Sequence, residues 1–270
     1  MRFPGAVLIC GIGDTRRGGG LPGGLDARLS RMDRFARAGF LAGARALAEA
    51  GREPCPAKDP RSGAVFGSSL GCADAITEHA LLVAAATGLG DLRPSVFATT
   101  VHNTVIAELS SAYGLAGPAE MLVTGPTAGL EALLLAARIL EAGRADLVVT
   151  GAAEGVRLEL EAAAGGSLIG GGAAFVLQRE DSGRARGRIL GGALFFEPDD
   201  GAVASRLRDE LSLLGPGLDA VPLAPASPSL ALAGVYGVID ALSRPGPSAV
   251  FVRDPAGPVA VLVVEPIISG

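Results

Sequence analysis

Short apolar runs alternate with stretches whose apolar residues recur every three or four positions, and glycine or proline separates most of them. The first pattern suits buried strands and the second suits core-facing helices. Val7–Gly11, Ala64–Gly67, Met121–Thr124, Asp146–Gly151 and Ala173–Gln178 read as strands. Between them, Ser30 is placed to cap a helix that Gly51 ends. Its Phe35, Ala38, Leu41 and Ala44 or Ala48 form one stripe. Further helices are expected over Cys72–Thr87, Asn103–Tyr113 and Ala128–Ala142, the last closed by Gly143. Residues 52–62, with Pro54, Pro56 and Pro60, read as a polar loop, and another, glycine-rich loop runs through Gly24.

The rest of the chain repeats the alternation in less space. Gly187–Phe195 reads as a strand, Ala202–Leu214 and Leu230–Leu242 as helices, and Ala249–Val252 with Val259–Val264 as a closing hairpin. Strands alternating with helices predict an α/β fold with a mostly parallel sheet. A duplicated strand–helix plan is possible, although no short repeat is visible.

Composition narrows the functions. Apolar residues make up 49% of the chain and charged residues 19%, which suits a buried sheet and argues against disorder. The net charge is −5, and Arg16–Arg17 is the longest basic run, too short for a nucleic-acid footprint. The apolar run near the N-terminus is too brief for a signal peptide, and Ala162–Gln178 is too short and glycine-rich for a membrane span. Cys10, Cys55 and Cys72 are three, with no Cys-x-x-Cys pair. They predict a reduced, cytoplasmic protein with neither a disulfide frame nor a zinc site.

Several residues could carry chemistry. Gly67-Ser-Ser-Leu-Gly71 has the form of a nucleophile elbow and would make Ser69 the nucleophile. The only histidines, His79 and His102, come too early for such a triad, so a capped strand-to-helix turn is preferred. Gly11-Ile-Gly13 is a partial dinucleotide loop lacking its third glycine and its helix. Asp14 and Asp199-Asp200 lack metal-ligand spacing. Cys72 lies near a helix start, where a thiol gains reactivity, but a small buried residue fits as well. Thr127 opens a helix and could be a nucleophile, with no base in sight. Pro126 suits a first helical position, where its missing N–H costs nothing.

The chain resembles the β-ketoacyl synthases of the thiolase superfamily over roughly residues 30–180. Arg31-Met-Asp-Arg-Phe-Ala-Arg, Val65-Phe-Gly-Ser-Ser-Leu-Gly, Leu115-Ala-Gly-Pro and Ala145-Asp-Leu-Val-Val-Thr-Gly-Ala-Ala-Glu each match a family string. Val123-Thr-Gly-Pro-Thr-Ala-Gly resembles Thr-Ala-Cys-Ala-Ser-Gly, with Pro126 where the nucleophilic cysteine belongs. Ala231–Leu242 looks like the glycine-alanine helix of the C-terminal half. Thr100-Val-His-Asn is similar to the Ser-Val-His-Asn string of short ketosynthase-like proteins that resemble chain-length factors of type II systems, aryl polyene clusters included.

The resemblance implies a thiolase-like fold with layered, mostly parallel sheets. Residues 1–180 would be the ketosynthase N-terminal-like half and 181–270 a shortened C-terminal half, together one domain. It also implies lost chemistry. The thiol is replaced by Pro126, which also lacks the amide of the oxyanion hole. No histidine follows residue 102, and Asp254-Pro-Ala-Gly-Pro stands where the Gly-Phe-Gly-Gly-Thr-Asn loop belongs. The implied role is a non-condensing subunit that pairs with an active ketosynthase, or with itself, and meets an acyl carrier protein. It needs no cofactor and no metal. His102 and Asn103 are then candidates for the interface or the acyl tunnel. Residual acyltransferase or thioesterase activity at Thr127, Cys72 or Ser69, or a homodimeric scaffold, are the alternatives.

Overall fold

The apolar runs form strands longer than their periodicity marks. The computed structural model describes residues 2–16, 21, 25–92, 94–155, 170–180, 183–218, 223–225 and 230–267. Parts of the glycine-rich loop before Gly24 and of Ala162–Gln178 lie outside them. Strands β1 (Arg2–Asp14), β2 (Ser62–Ser68), β3 (Ala119–Val123), β4 (Leu147–Glu154), β5 (Gly171–Gln178), β6 (Gly187–Phe196), β7 (Leu223–Pro225), β8 (Ser248–Arg253) and β9 (Pro258–Pro266) make one nine-stranded sheet. Its order is β3-β2-β4-β5-β1-β6-β9-β8-β7.

The sheet is mixed rather than mostly parallel. Only β2–β3, β2–β4 and β7–β8 run parallel. The pairs β4–β5, β5–β1, β1–β6, β6–β9 and β9–β8 are antiparallel. Parallel neighbours need a crossover, and helices occur where β2, β3 and β4 follow one another and again between β7 and β8. The duplicated plan is present in the topology. β1-β5-β4-β2 and β6-β9-β8-β7 show the same senses in the same order: antiparallel, antiparallel, parallel. The first set carries β3 on its outer edge; among the described residues, the second has no counterpart.

The helices are α1 (Asp26–Leu29), α2 (Arg34–Glu49), α3 (Ala73–Ala85), α4 (Pro94–Phe97), α5 (Thr104–Tyr113), α6 (Ala128–Glu141), α7 (Val203–Leu214) and α8 (Leu232–Leu242). The cap of α2 is Asp33, which accepts from the Ala36 amide at 2.7 Å. Ser30 instead donates to Ala27 O at the end of α1, so the expected cap is displaced by three residues. Gly51, at φ +75°, closes α2 as expected.

Alternate residues of the strands build the layers. Phe66, Val149, Ala153, Ala174 and Val176 face α2 and α5. Val65, Val148, Phe175, Val252 and Leu262 face the opposite way and enclose α6 and α8. Val259, Val261 and Val263 pack under α7 on the far side. The central helices cross closely. A Cβ on Gly129 would meet Ala231 O at 2.2 Å, so only glycine fits there.

Candidate functional site

The turn between β3 and α6 puts Gly125, Pro126 and Thr127 at the mouth of the central layer. Gly125 holds φ +89°, a conformation that side chains rarely adopt, and this swings the chain into the helix. Gly125 O accepts from the Ala128 amide at 3.1 Å. The α-helix proper runs from Ala128 to Glu141, so Pro126 sits in the turn before the cap rather than at the first helical position. The proline ring forbids an N–H at this point all the same.

Thr127 is the N-cap of α6, with 0% of its surface exposed. Its hydroxyl makes no capping bond to the helix amides. It donates instead to Glu131 Oε1 at 2.5 Å, and Thr124 donates to Glu131 Oε2 at 3.0 Å. A base for Thr127, absent from the sequence reading, is therefore present one helical turn along. The sequence signal was a Thr and a Glu four positions apart, which stack on one helix face.

The β8–β9 turn closes over this point. Asp254 Oδ1 accepts from the Ala256 amide at 2.8 Å, and the Gly257 amide donates to Asp254 O at 2.9 Å. A Cβ built on Gly125 would lie 2.9 Å from Asp254 Oδ2, so this carboxylate rests against the Gly125 backbone. An oxyanion hole needs converging N–H donors where negative charge develops. Here Pro126 has no N–H to offer, and the facing turn presents the Asp254 carboxylate to Gly125.

The second cluster is the turn after β2. His102 lies over Gly71, whose φ is +58°. A Cβ at Gly71 would lie 2.1 Å from His102 Nδ1, so the ring occupies that space. The Cys72 amide donates to His102 Nδ1 at 3.2 Å, and Cys72 Sγ lies 3.3 Å from the same nitrogen. Nδ1 thus accepts from the Cys72 backbone. Cys72 is 1% exposed. Burial pushes its thiol above the ordinary range, and the Asp33 carboxylate adds to this, while an amide hydrogen bond opposes it. The pair is a thiol beside an occupied imidazole nitrogen, not a thiolate–imidazolium pair.

Ser69 is bound on both sides. Its amide donates to Glu154 Oε1 at 2.5 Å, and its Oγ accepts from the Ala231 amide at 2.7 Å. Ala231 is the N-cap of α8. No histidine bonds Ser69 among the described residues, and the elbow reduces to a capped turn. Glu154 was not singled out from the sequence. It is 1% exposed and gathers Ser68 Oγ at 2.9 Å, the Leu70 amide at 3.4 Å and the Ala231 amide at 3.3 Å, besides Ser69. Burial raises its carboxyl above the ordinary value, and the donated bonds partly oppose that. The signal was a charged residue ending a strand whose eight positions are all buried.

Apolar surface collects next to this turn. In α3 only Ala75 is buried. Leu81 is 64% exposed and Phe97, on α4, 61%. Ile76, Val83, Val101 and Val123 are exposed too. The His79 and Phe97 rings meet at a tilt of 57°, with centroids 5.6 Å apart. Among the described residues, β3 pairs on one side only and ends the sheet. Asn103, the N-cap of α5, is exposed and makes no side-chain cap bond. Among the described residues, no group of three or more His, Cys, Asp or Glu could hold a metal ion, and no helix is long and apolar enough to cross a membrane.

Comparison with known proteins places this geometry. Residues 21–169 match the family described as the β-ketoacyl synthase N-terminal domain. The 3-oxoacyl-[acyl-carrier-protein] synthase 2 of Vibrio cholerae is 35% identical over 130 residues, covering 48% of this chain and 30% of the relative. The chain therefore aligns with about a third of the length of such relatives. Among solved structures, a chain of a type II polyketide acyl-carrier protein in complex with its ketosynthase bound to the hexaketide (AntDE:AntF) superposes with a TM-score of 0.81. The match covers 97% of this chain and 100% of that one at 17% identity. The ishigamide ketosynthase/chain length factor matches with a TM-score of 0.77, again at 17% identity, over 98% of this chain and 100% of that one. At these identities the likeness is one of fold.

Proposed function

The chain belongs to the β-ketoacyl synthase family, and on that premise we propose that it is a non-condensing, chain-length-factor-like subunit. The observation that carries this is Pro126 standing beside Gly125, against whose backbone the Asp254 carboxylate rests. The position that should hold a nucleophile and an amide donor holds neither, and the opposite wall holds a carboxylate 2.9 Å from where a Gly125 Cβ would be. A carboxylate raises the energy of a developing oxyanion instead of lowering it. The partner is an active ketosynthase that supplies the cysteine and histidines, with substrates carried on an acyl carrier protein.

The docking face is the β3 edge together with the exposed apolar residues of α3 and α4. Unpaired strand edges and contiguous apolar surface are features that a bound partner covers. His102 and Asn103 sit at the root of this face, where His102 holds the Cys72 amide at the start of α3. Residues 1–180 and 181–270 act as the two halves of one thiolase-like unit. Co-expression of the tagged chain with a ketosynthase from its own gene neighbourhood tests the reading. Co-purification in a one-to-one complex supports it; a chain that only self-associates points to a homodimeric scaffold.

One observation favours a second reading, residual acyl transfer at Thr127. Its hydroxyl already donates to Glu131, as an activated nucleophile would. Against it stand the full burial of Thr127 and the Asp254 carboxylate at the same mouth. Intact-mass analysis after incubation with an acyl thioester separates the two, because only the second leaves an adduct.

A further inference from the structure

One buried carboxylate hydrogen-bonds groups from both duplicated halves. Glu154 ends β4, in the first half; Ala231 precedes α8, in the second. Glu154 Oε1 takes the Ser69 amide and the Ala231 amide, and Oε2 takes Ser68 Oγ and the Leu70 amide. Ser69 Oγ adds a second acceptor for the Ala231 amide, at 2.7 Å. Ser68 Oγ also accepts from the Gly71 amide at 2.7 Å, and the next amide, that of Cys72, is held by His102. A path of hydrogen bonds, bridged at one point by the peptide link between Gly71 and Cys72, therefore runs from His102 through the Ser68–Cys72 turn and Glu154 to the start of α8.

The far end of the path carries strain. Leu230, just before Ala231, has φ +28°, the only positive value at a non-glycine among the described residues. A leucine there is costly and persists only where its surroundings hold it. Leu230 is buried, and the amide that follows it is the one that Glu154 and Ser69 grip. α8 packs against α6 in the central layer, so whatever fixes Ala231 also fixes the approach of Gly129 to its carbonyl.

We infer that Glu154 is a positioning clasp. It couples the His102 turn, at the root of the apolar α3–α4 face, to the strained start of α8 in the C-terminal half. The clasp is a property of the chain alone. Its use by a partner seated on the α3–α4 face rests on the docking face proposed above.

Amide-resolved hydrogen exchange on the isolated, full-length chain tests the clasp. Loss of a buried hydrogen bond speeds exchange by roughly fivefold or more. His102→Ala removes only the first link. It should accelerate exchange at Cys72 and also at Ala231, while amides of α7, which share no bond with the clasp, stay unchanged. Ser69→Ala should accelerate Ala231 and spare Cys72; it serves where the histidine variant folds poorly. Acceleration confined to Cys72 in His102→Ala would overturn the coupling. So would equal acceleration in α7, which would mean global loss of stability. Adding the ketosynthase partner to the wild-type chain then reads the second claim. Slower exchange at Ala231 supports it. Binding without any change there limits the clasp to the free chain and removes the partner from its use.

Discussion

The Thr127 hydroxyl, one residue after Pro126, donates to Glu131 at 2.5 Å. This bond turns the start of α6 into a closed, self-satisfied unit. Thr124 occupies the other oxygen of the same carboxylate, so both acceptor atoms of Glu131 have donors. Thr127→Val should therefore cost stability and no chemistry. The expected loss is about 1–2 kcal/mol, because Glu131 loses a donor in a half-buried site. Denaturant titration measures it, and the intact-mass profile after acyl-thioester treatment should match that of the wild type.

Pro126→Cys should not produce a ketosynthase. A thiol restores one member of a unit whose parts act together, while the histidines remain absent and Asp254 still faces the site. Product analysis with acyl and malonyl thioesters should show no 3-oxoacyl product. Condensation by this single variant would mean that other groups replace the histidines.

The apolar face predicts a second kind of variant. Phe97→Asp and Val123→Asp place charge on exposed residues of α4 and of the β3 edge. Surface changes of this kind alter folding stability by less than about 0.5 kcal/mol. Light scattering should show loss of association, with thermal midpoints nearly unchanged. Variants that associate like the wild type would move the interface elsewhere.

Glu154 gives a pH dependence of definite sign. Burial raises its carboxyl in the folded chain, so the folded state holds that proton more tightly than the unfolded state. Stability from this group is then fully present below the unfolded carboxyl value and is lost as pH rises through the folded one. The wild type, compared with Glu154→Gln, should gain stability as pH falls from neutral into the ordinary carboxyl range. Denaturant midpoints of the two proteins across that window measure it. Parallel curves would mean that the carboxyl is not perturbed.

His102→Ala should weaken association with the ketosynthase or change product length. The partner's own malonyl decarboxylation should stay nearly intact, since His102 Nδ1 already takes the Cys72 amide and the nearby thiol is held protonated. Pull-down, product chain-length analysis and a decarboxylation assay on the same sample separate these effects.

Much of the layering was legible because strands and helices leave different periods in a sequence. Val65 and Phe66 face opposite layers, as the pleat requires, and the helix ended by Gly51 was found by its glycine. What failed was local competition between equivalent residues. Ser30 and Asp33 are both good caps three positions apart, and only the short α1 decides between them. Strand sense was not legible either, because β5 and β1 become antiparallel neighbours only in the folded sheet. At the site, the glycine-proline turn was legible at Gly125 and Pro126, but the Asp254 carboxylate against Gly125 joins residues far apart in the chain. The Glu154 clasp is of the same kind, with Ala231 lying 77 positions away. Such long-range bonds leave no period, only the oddity of a glutamate at the end of an apolar strand.

The central claim is that this chain has the ketosynthase fold without its condensing step. The most direct measurement is product formation from acyl- and malonyl-loaded carrier protein, by the chain alone and by the chain with its ketosynthase, with intact-mass analysis of both subunits. The account predicts no product and no acyl adduct for the chain alone. In the mixture, product should appear and the adduct should be confined to the partner. An adduct on this chain that turns over into a 3-oxoacyl product would contradict it.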